Sequence, residues 1–304
     1  MLNFVKYPKI YIFLSLILVL ISIFFLLFYG LELGIEFTGG SSLEISYRQG
    51  KPDISLLKKE LTELRLEGFN LRPLGEKGVI LEIREKEVSP ELEKKIVEKF
   101  KKAGEIENEQ SFHLRSISPV IGKELQEKAK VFIILSVLVI LIYISLAFRR
   151  LQRPISSFGY ALISIFALLH DIIIPLGVFA ILGRFYNLQI SIPIVVALLT
   201  VLGYSINNTV VVFDRIRENL LKRSSLSFKE VVNLSLNQVF SRSINTSLTT
   251  LFVLISLFFF GGETLKYFSL ILILGIMAGT YSSLFLVSSL LINLGKTKLW
   301  RVRS

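Results

Sequence analysis

The sequence contains no cysteine, and its only histidines are His113 and His170. Disulfide frameworks, thiolate metal sites and cysteine nucleophiles are therefore excluded, and no histidine cluster is available to hold a metal. No HExxH, GxGD or serine–histidine arrangement occurs within the apolar segments, which leaves an intramembrane protease unsupported. Nothing in the chain calls for a cofactor.

What the chain does have is apolar length. Of its 304 residues, 52% are hydrophobic, and the mean hydropathy is +0.62. Those values belong to a membrane protein rather than a soluble domain. The net charge of +11 would suit nucleic acid or anionic lipid, and its distribution decides. Basic residues sit at the ends of apolar runs, which argues for membrane lipids and against a nucleic-acid face.

A span needs about 20 mostly apolar residues. Six stretches qualify: 10–30, 131–148, 158–182, 190–213, 244–260 and 267–294. The first, "IYIFLSLILVLISIFFLLFYG", follows Lys6 and Lys9 like a signal peptide. Its apolar run is too long and no small-residue cleavage site follows, so it reads as an uncleaved anchor.

Short connections set the orientation. "RRLQRP", "DRIRENLLKRSS" and the tail "KTKLWRVRS" are strongly basic, whereas "GRFYNLQ" and "GGETLK" carry only Arg184 and Lys266. The positive-inside rule then predicts a multi-pass protein of the bacterial or archaeal inner or plasma membrane. Both termini are expected to be cytoplasmic, and residues 31–128 extracytoplasmic. The expected division is 1–30 (N-terminus and first span), 31–128 (exported domain), 129–295 (five-helix bundle) and 296–304 (basic tail). Within the bundle, "SFKEVVNLSLNQVF" reads as an amphipathic helix on the cytoplasmic face near 227–240, with an apolar stripe through Val231, Leu234 and Val239.

The exported region alternates like a small α/β unit. "SSLEISY", "FNLRPLG", "GVILEIRE" and "SFHLRSIS" read as strands. Two helices are predicted, at 53–68 behind an Asp N-cap and at 89–104 with Ser at the N-cap and Pro at N1. The order β-α-β-β-α-β suits a ferredoxin-like split βαβ unit. It carries no catalytic constellation, and His113 is read as a strand residue.

Four blocks give the chain a specific resemblance: "GIEFTGGSSLEI", "SPVIGKELQEKA", "LLHDIIIPLGVFAIL" and "GYSINNTVVVFDRIREN", with "SRSINTSLTT" as a fifth. In this order they resemble the SecD/SecF family of protein-export membrane proteins, and within it the SecF type. The resemblance implies half of an RND-type bundle, six transmembrane helices with one exported domain. SecD would supply the other half. It also implies a SecYEG-type channel and a translocating unfolded polypeptide as partners, and the proton gradient as the energy source. Gly39, Gly40 and Gly122 lie in its motifs at the junctions of the exported domain.

The polar residues inside the spans carry the site prediction. His170–Asp171 lies about twelve residues from the cytoplasmic end of the third span, ~18 Å deep at ~1.5 Å per residue, near the middle of a ~30 Å core. A carboxylate there must be protonated, paired or wetted. In the fourth span Ser205, Asn208 and Thr209 share one face, while Asn207 is turned by about 100°. Across the loop, Arg242, Asn245, Thr246, Thr249 and Thr250 form a polar face on the fifth span, and Arg242 is expected at the depth of Asn208. The resemblance implies an aspartate at position 208, carrying a proton beside this arginine. An amide can hydrogen-bond but does not titrate. Three readings remain open: SecD supplies the acid, the role passes to Asp171, or Asn208 is an engineered mimic of the protonated acid. Asp214, at the membrane exit, completes the predicted network with interfacial ion pairs. The competing functional reading is an RND-type half moving a small hydrophobic substrate.

Overall fold

The computed structural model describes residues 2–295 except 65, 67, 85–87, 108–112, 150–154 and 224. The tail at 296–304 and most of "RRLQRP" lie outside the described residues. Contacts divide the chain into two compact units. One comprises 1–30, 132–181 and 193–304, and the other 31–131 with 182–192.

The first unit is helical. Its elements are α1 (Pro8–Tyr29), α6 (Ser157–Tyr186), α7 (Ile192–Lys222), α8 (Phe228–Phe260), α9 (Gly262–Tyr281) and α10 (Val287–Leu294), with much of α5 (Pro119–Ala147). A π-helical segment, Ser282–Leu286, joins α9 to α10. Among the described residues six helices, counting 265–294 as one, are long and apolar enough to cross a membrane. Burial is uneven: α6, α7 and the last span form the interior, while α1 and α5 leave most of their apolar surface outward. An aromatic knot closes one end of the core. Tyr160 meets Phe213 edge-on at 4.8 Å and stacks on Phe148 at 5.8 Å. Each such pair contributes about 0.5–1.5 kcal/mol beyond burial.

The segment 227–240 corrects the sequence reading. It is no separate surface helix but the first half of α8, which runs unbroken from Phe228 to Phe260. The reason is local. No Gly or Pro interrupts 228–260, so nothing frees the backbone to turn between the amphipathic part and the span. Of the predicted apolar stripe, Val231 and Val239 are buried and Leu234 is half-buried, and Val232, Leu236 and Val239 pack into the helical core. Its polar side is also occupied by protein, since Asn219 Nδ2 donates to Ser235 Oγ (2.8 Å) and to Gln238 Oε1 (2.7 Å). A capping box of Ser227 and Glu230 starts the helix. Ser227→Ala should destabilise it by about 1 kcal/mol, read as faster amide exchange over its first turn; unchanged exchange there would refute this role.

The second unit follows the chain order β1 (Gly40–Ser46), α3 (Ile54–Thr62), β2 (Phe69–Leu74), β3 (Gly78–Ile83), α4 (Pro90–Ala103) and β4 (His113–Ile117). A short turn of helix, α2 (Ile35–Thr38), precedes it. The sheet order is β2-β3-β1-β4 and every pair is antiparallel. Alternation assigns the faces. Leu43, Ile45, Leu71, Leu81 and Ile83 pack with Leu57 and Leu61 of α3 and with Ile96 and Phe100 of α4. Asp53 and Ser89 cap those helices as the sequence predicts. Helix α3 ends at Thr62, short of the expected Gly68.

The opposite face carries Ser42, Asn70, Arg72 and Glu82. Glu82 is only 5% exposed and is ion-paired with Arg72. Burial pushes the Glu82 carboxyl above its ordinary range, and the Arg72 guanidinium opposes that shift. Arg72→Gln should therefore destabilise this unit by about 3–5 kcal/mol, because a buried carboxylate loses its counter-ion. The sign with pH follows. A carboxyl whose folded pKa lies above its unfolded value binds its proton more tightly in the native state, so stability falls as pH rises. The Arg72→Gln loss should be smaller at about pH 5 than at about pH 7.5 in thermal unfolding. An equal loss at both would rule out Glu82 as the cause.

The glycine motif closes the unit. Gly39 has φ +76°, and a Cβ there would lie 2.6 Å from Pro119 Cα. A Cβ on Gly122 would lie 2.7 Å from the Phe37 carbonyl oxygen. The start of β1 and the first turn of α5 thus meet backbone to backbone, at a distance that only glycine permits on both sides.

Candidate functional site

Asp171 is completely buried in the helical unit, at 0% exposure. Its Oδ1 lies 2.8 Å from His170 Nδ1. Its Oδ2 accepts from Ser205 Oγ at 2.5 Å and from Ser282 Oγ at 2.8 Å. A carboxyl in an apolar bundle is held only by such donors, and here three come from three elements: α6, α7 and the π-helical segment.

The local sequence explains the convergence. Pro175 lies one turn beyond Asp171 on α6 and has no N–H to donate to the Asp171 carbonyl, so the helical ladder is opened at the acid itself. On α9, small residues bring the backbone close to α7. A Cβ on Gly275 would lie 2.2 Å from Val201 Cγ2, and one on Gly279 would lie 3.3 Å from Asp171 Oδ2. Small-residue stripes of this kind let membrane helices approach. Ser282 then opens the π-helical segment and also donates to the Gly279 carbonyl at 3.2 Å. Single π turns inside helices concentrate at functional positions.

His170 is the acid's neighbour in both senses. Its Nε2 is buried without a hydrogen-bond partner. Its ring stacks on Tyr281 at 6.1 Å, and the Tyr281 hydroxyl donates to the Tyr11 main-chain oxygen of α1 at 3.0 Å. A second hydroxyl chain runs from Tyr204 to Ser247 (3.2 Å) and on to Thr280 (2.7 Å), linking α7, α8 and α9.

The other predicted residues are placed as follows. Asn208, one turn from Ser205, is 4% exposed, and its Nδ2 has no partner. Asn207 is exposed. Arg242 is exposed too, and among the described residues no hydrogen bond or ion pair joins it to Asn208. Thr246 is exposed, its carbonyl accepting from Thr249 (2.9 Å) and Thr250 (3.0 Å). Asp214 is exposed and pairs with Arg217 at 2.7 Å. The structure therefore gathers His170 and Asp171 with Ser205, and leaves Asn208 and Arg242 unjoined within this chain. Ser282 was missed by the sequence reading, although Gly275, Gly279 and Ser282 recur at helical spacing and mark the close approach.

One surface in the spans stands out. Thr200, Gly203 and Asn207 on α7 are exposed, as are Arg242, Asn245, Thr246 and Thr249 on α8. Hydrocarbon cannot satisfy such groups. Among the described residues, no group of three or more His, Cys, Asp or Glu is placed to hold a metal.

Comparison with known proteins gives the family. The family described as "Protein export membrane protein SecD/SecF, C-terminal" matches residues 92–297, and the "SecD/SecF GG Motif" matches 24–51. The protein translocase subunit SecF of Thermobaculum terrenum is 39% identical over 305 residues, covering 96% of this chain and 94% of that one. SecF of Rhodothermus marinus is 37% identical, covering 94% and 90%. The crystal structure of SecDF from Thermus thermophilus, a translocon-associated membrane protein, superposes with TM-score 0.82 at 30% identity over 96% of this chain. This chain spans 38% of that SecDF chain. With six apolar helices and these matches, the protein is a multi-pass membrane protein, and it belongs to the SecF family of protein translocase subunits.

Proposed function

We propose that this chain works with a SecD-type subunit beside a SecYEG-type channel, driving export of unfolded polypeptide with a proton gradient carried through Asp171. It is not an enzyme and needs no cofactor. The observation that carries the reading is the Asp171 cluster: a fully buried carboxyl, bonded to His170, Ser205 and Ser282, beside a ring nitrogen with no partner. Protonating or deprotonating such a group changes which of its neighbours donate and so biases helix packing. Asn208 occupies the neutral setting of the family's acid, and proton carriage passes to Asp171.

The exposed polar stripe on α7 and α8 supports the SecD partnership, since a second membrane subunit would satisfy groups that lipid leaves bare. It also supports reading the bundle as half of an RND-type assembly. The basic connections support an inner-membrane orientation with both termini cytoplasmic and 31–128 extracytoplasmic. The strand order around β1 and β3 supports a ferredoxin-like class for that domain.

The test is co-reconstitution of the chain with SecD and the channel in vesicles, with translocation measured with and without an imposed pH gradient. The reading predicts stimulation by the gradient, and its absence would overturn it. Asn208→Asp adds a second titrating group one turn from Ser205 and should raise that stimulation. An unchanged rate would remove position 208 from the proton path.

A further inference from the structure

The first residues of the chain are fastened to α8 through their main chain. Leu2 N donates to Asn237 Oδ1 at 2.8 Å, and the Leu2 carbonyl accepts from Asn237 Nδ2 (2.8 Å) and Asn233 Nδ2 (3.2 Å). Phe4 N donates to Asn233 Oδ1 at 2.9 Å. Asn233 and Asn237 stand four residues apart, so both amides lie on one face of the helix. Helix α1 begins only at Pro8, so this strap of residues 2–5 lies ahead of the span.

The side chains of the strap lead inward. Phe4 is 7% exposed and Val5 4%. The Phe4 ring meets Phe240 of α8 at 5.0 Å and Phe285 of the π-helical segment at 6.0 Å. Phe285 also meets Tyr11 at 5.0 Å and Tyr281 at 5.5 Å, and Tyr281 is the ring stacked on His170. A run of rings therefore joins the strap to the neighbour of Asp171. Such a run couples two sites only through an element with two states.

The π-helical segment supplies that element. Ser282 has one hydroxyl proton and two acceptors within reach, Asp171 Oδ2 at 2.8 Å and the Gly279 carbonyl at 3.2 Å. Hydrogen bonds to an ionised group are about twice as strong as neutral ones, so a charged Asp171 wins the proton. A neutral Asp171 offers no better acceptor than the Gly279 carbonyl does. Ser283, the next residue, is also buried and already donates to the Thr280 carbonyl at 3.1 Å. Hydroxyl bonds back to the preceding turn bend helices, and a π turn is a rare register held by its local contacts.

We propose that the π-helical segment is a switch set by Asp171, and that its output is the hold on the N-terminal strap. With Asp171 charged, Ser282 is drawn to Oδ2, Phe285 stays against Phe4, and the strap is held on α8. With Asp171 neutral, Ser282 turns to the Gly279 carbonyl, the segment relaxes, Phe285 withdraws and the strap is freed. This switch rests on the proposed titration of Asp171 and adds its output.

Other titratable groups border the path. His170 faces Asp171 from its own helix, while Tyr281 and Tyr11 face Phe285 from α9 and α1. Arg223, Lys229 and Glu230 border a cavity beside Asn3 and Val5, and Lys6 follows the strap. The bonds from Ser227 hold the Glu230 carboxyl below its ordinary range. Tyrosine, lysine, arginine and such a carboxylate keep their charge between about pH 5.5 and 7, as does the α-amino group. Among these described groups that leaves Asp171 and His170, which Asp171→Asn separates.

The chain has no cysteine, so Asn3→Cys gives a unique site for a nitroxide label on the full chain in lipid nanodiscs. The mobile fraction of its spectrum is followed as pH is stepped from about 7 to about 5.5, with Asn233→Ala/Asn237→Ala as the free-strap reference. The ratio of mobile to held label is expected to rise about fivefold or more as pH falls. The rise should vanish in Asp171→Asn. It should vanish too in Phe285→Leu, where the Asp171 carboxyl infrared band still titrates. Phe4→Leu cuts the same ring contact from the chain end and keeps the test open if Phe285→Leu impairs folding. A rise that survives in Asp171→Asn, or in both ring variants, overturns the switch. A strap that stays held while the Asp171 band titrates also overturns it and leaves the proton reading standing. A band that does not titrate overturns the proton reading, and the switch with it.

Discussion

Asp171→Asn should reduce translocation to the level measured without a gradient, while the protein still folds and assembles. Asparagine has the shape of aspartate and keeps an acceptor for Ser205 and Ser282. Its amide can donate to His170 Nδ1 when the ring carries its proton on Nε2. Packing around Gly279 is unchanged because no volume is added. What is lost is titration, since an amide neither takes up nor releases a proton. Asp171→Leu is the contrasting variant. It leaves the buried hydroxyls of Ser205 and Ser282 without their shared acceptor, and should cost about 1–3 kcal/mol of stability as well. If Asp171→Asn retains full gradient-dependent translocation in vesicles, Asp171 is a packing residue.

Gly39→Ala should be the most damaging small substitution in the exported unit. Two penalties act together. The residue sits at φ +76° and ψ 164°, a backbone region essentially confined to glycine that costs an L side chain roughly 1–3 kcal/mol. The new methyl would also stand 2.6 Å from Pro119 Cα, which is backbone and cannot swing aside. Overpacking of that kind costs about 1–3 kcal/mol, so the sum is roughly 2–6 kcal/mol. Hydrogen exchange should locate the loss in β1 and its partners β3 and β4. Gly50 is the control, since it too has positive φ, at 111°, but nothing lies within 4 Å of its absent Cβ. If Gly39→Ala and Gly50→Ala cost the same, the close approach to Pro119 contributes nothing.

Much of this architecture was legible in the sequence because its causes are local. Apolar length marked the spans, Asp53 and Ser89 marked helix starts, and strict alternation marked β1 and β3. The glycines of the motif were legible as residues, though not as partners. That Gly39 meets Pro119 and that Gly122 meets Phe37 is a long-range fact, and spacing along the chain does not encode it. The same limit applied at the site. His170, Asp171 and Ser205 could be named from polarity within an apolar run, whereas Ser282 looked like one more serine until α9 was packed on α7. The helix at 227–240 misled for a different reason. An amphipathic stripe reports that a face will be buried, and it cannot say whether lipid or protein buries it. Asn208 and Arg242 were expected at one depth, and depth alone did not join them; Arg242 stays exposed on this chain.

Infrared difference spectroscopy of the full chain in lipid, recorded as pH is stepped, tests the central claim most directly. A carboxyl in a dry, hydrogen-bonded site gives its own C=O band when protonated. Among the described residues Glu82 is the other buried acid, so the spectra are taken in a Glu82→Gln background. The account predicts a pH-dependent carboxyl band that disappears in Asp171→Asn, accompanied by a change in the His170 ring modes. Spectra that are identical with and without the Asp171 carboxyl would contradict it.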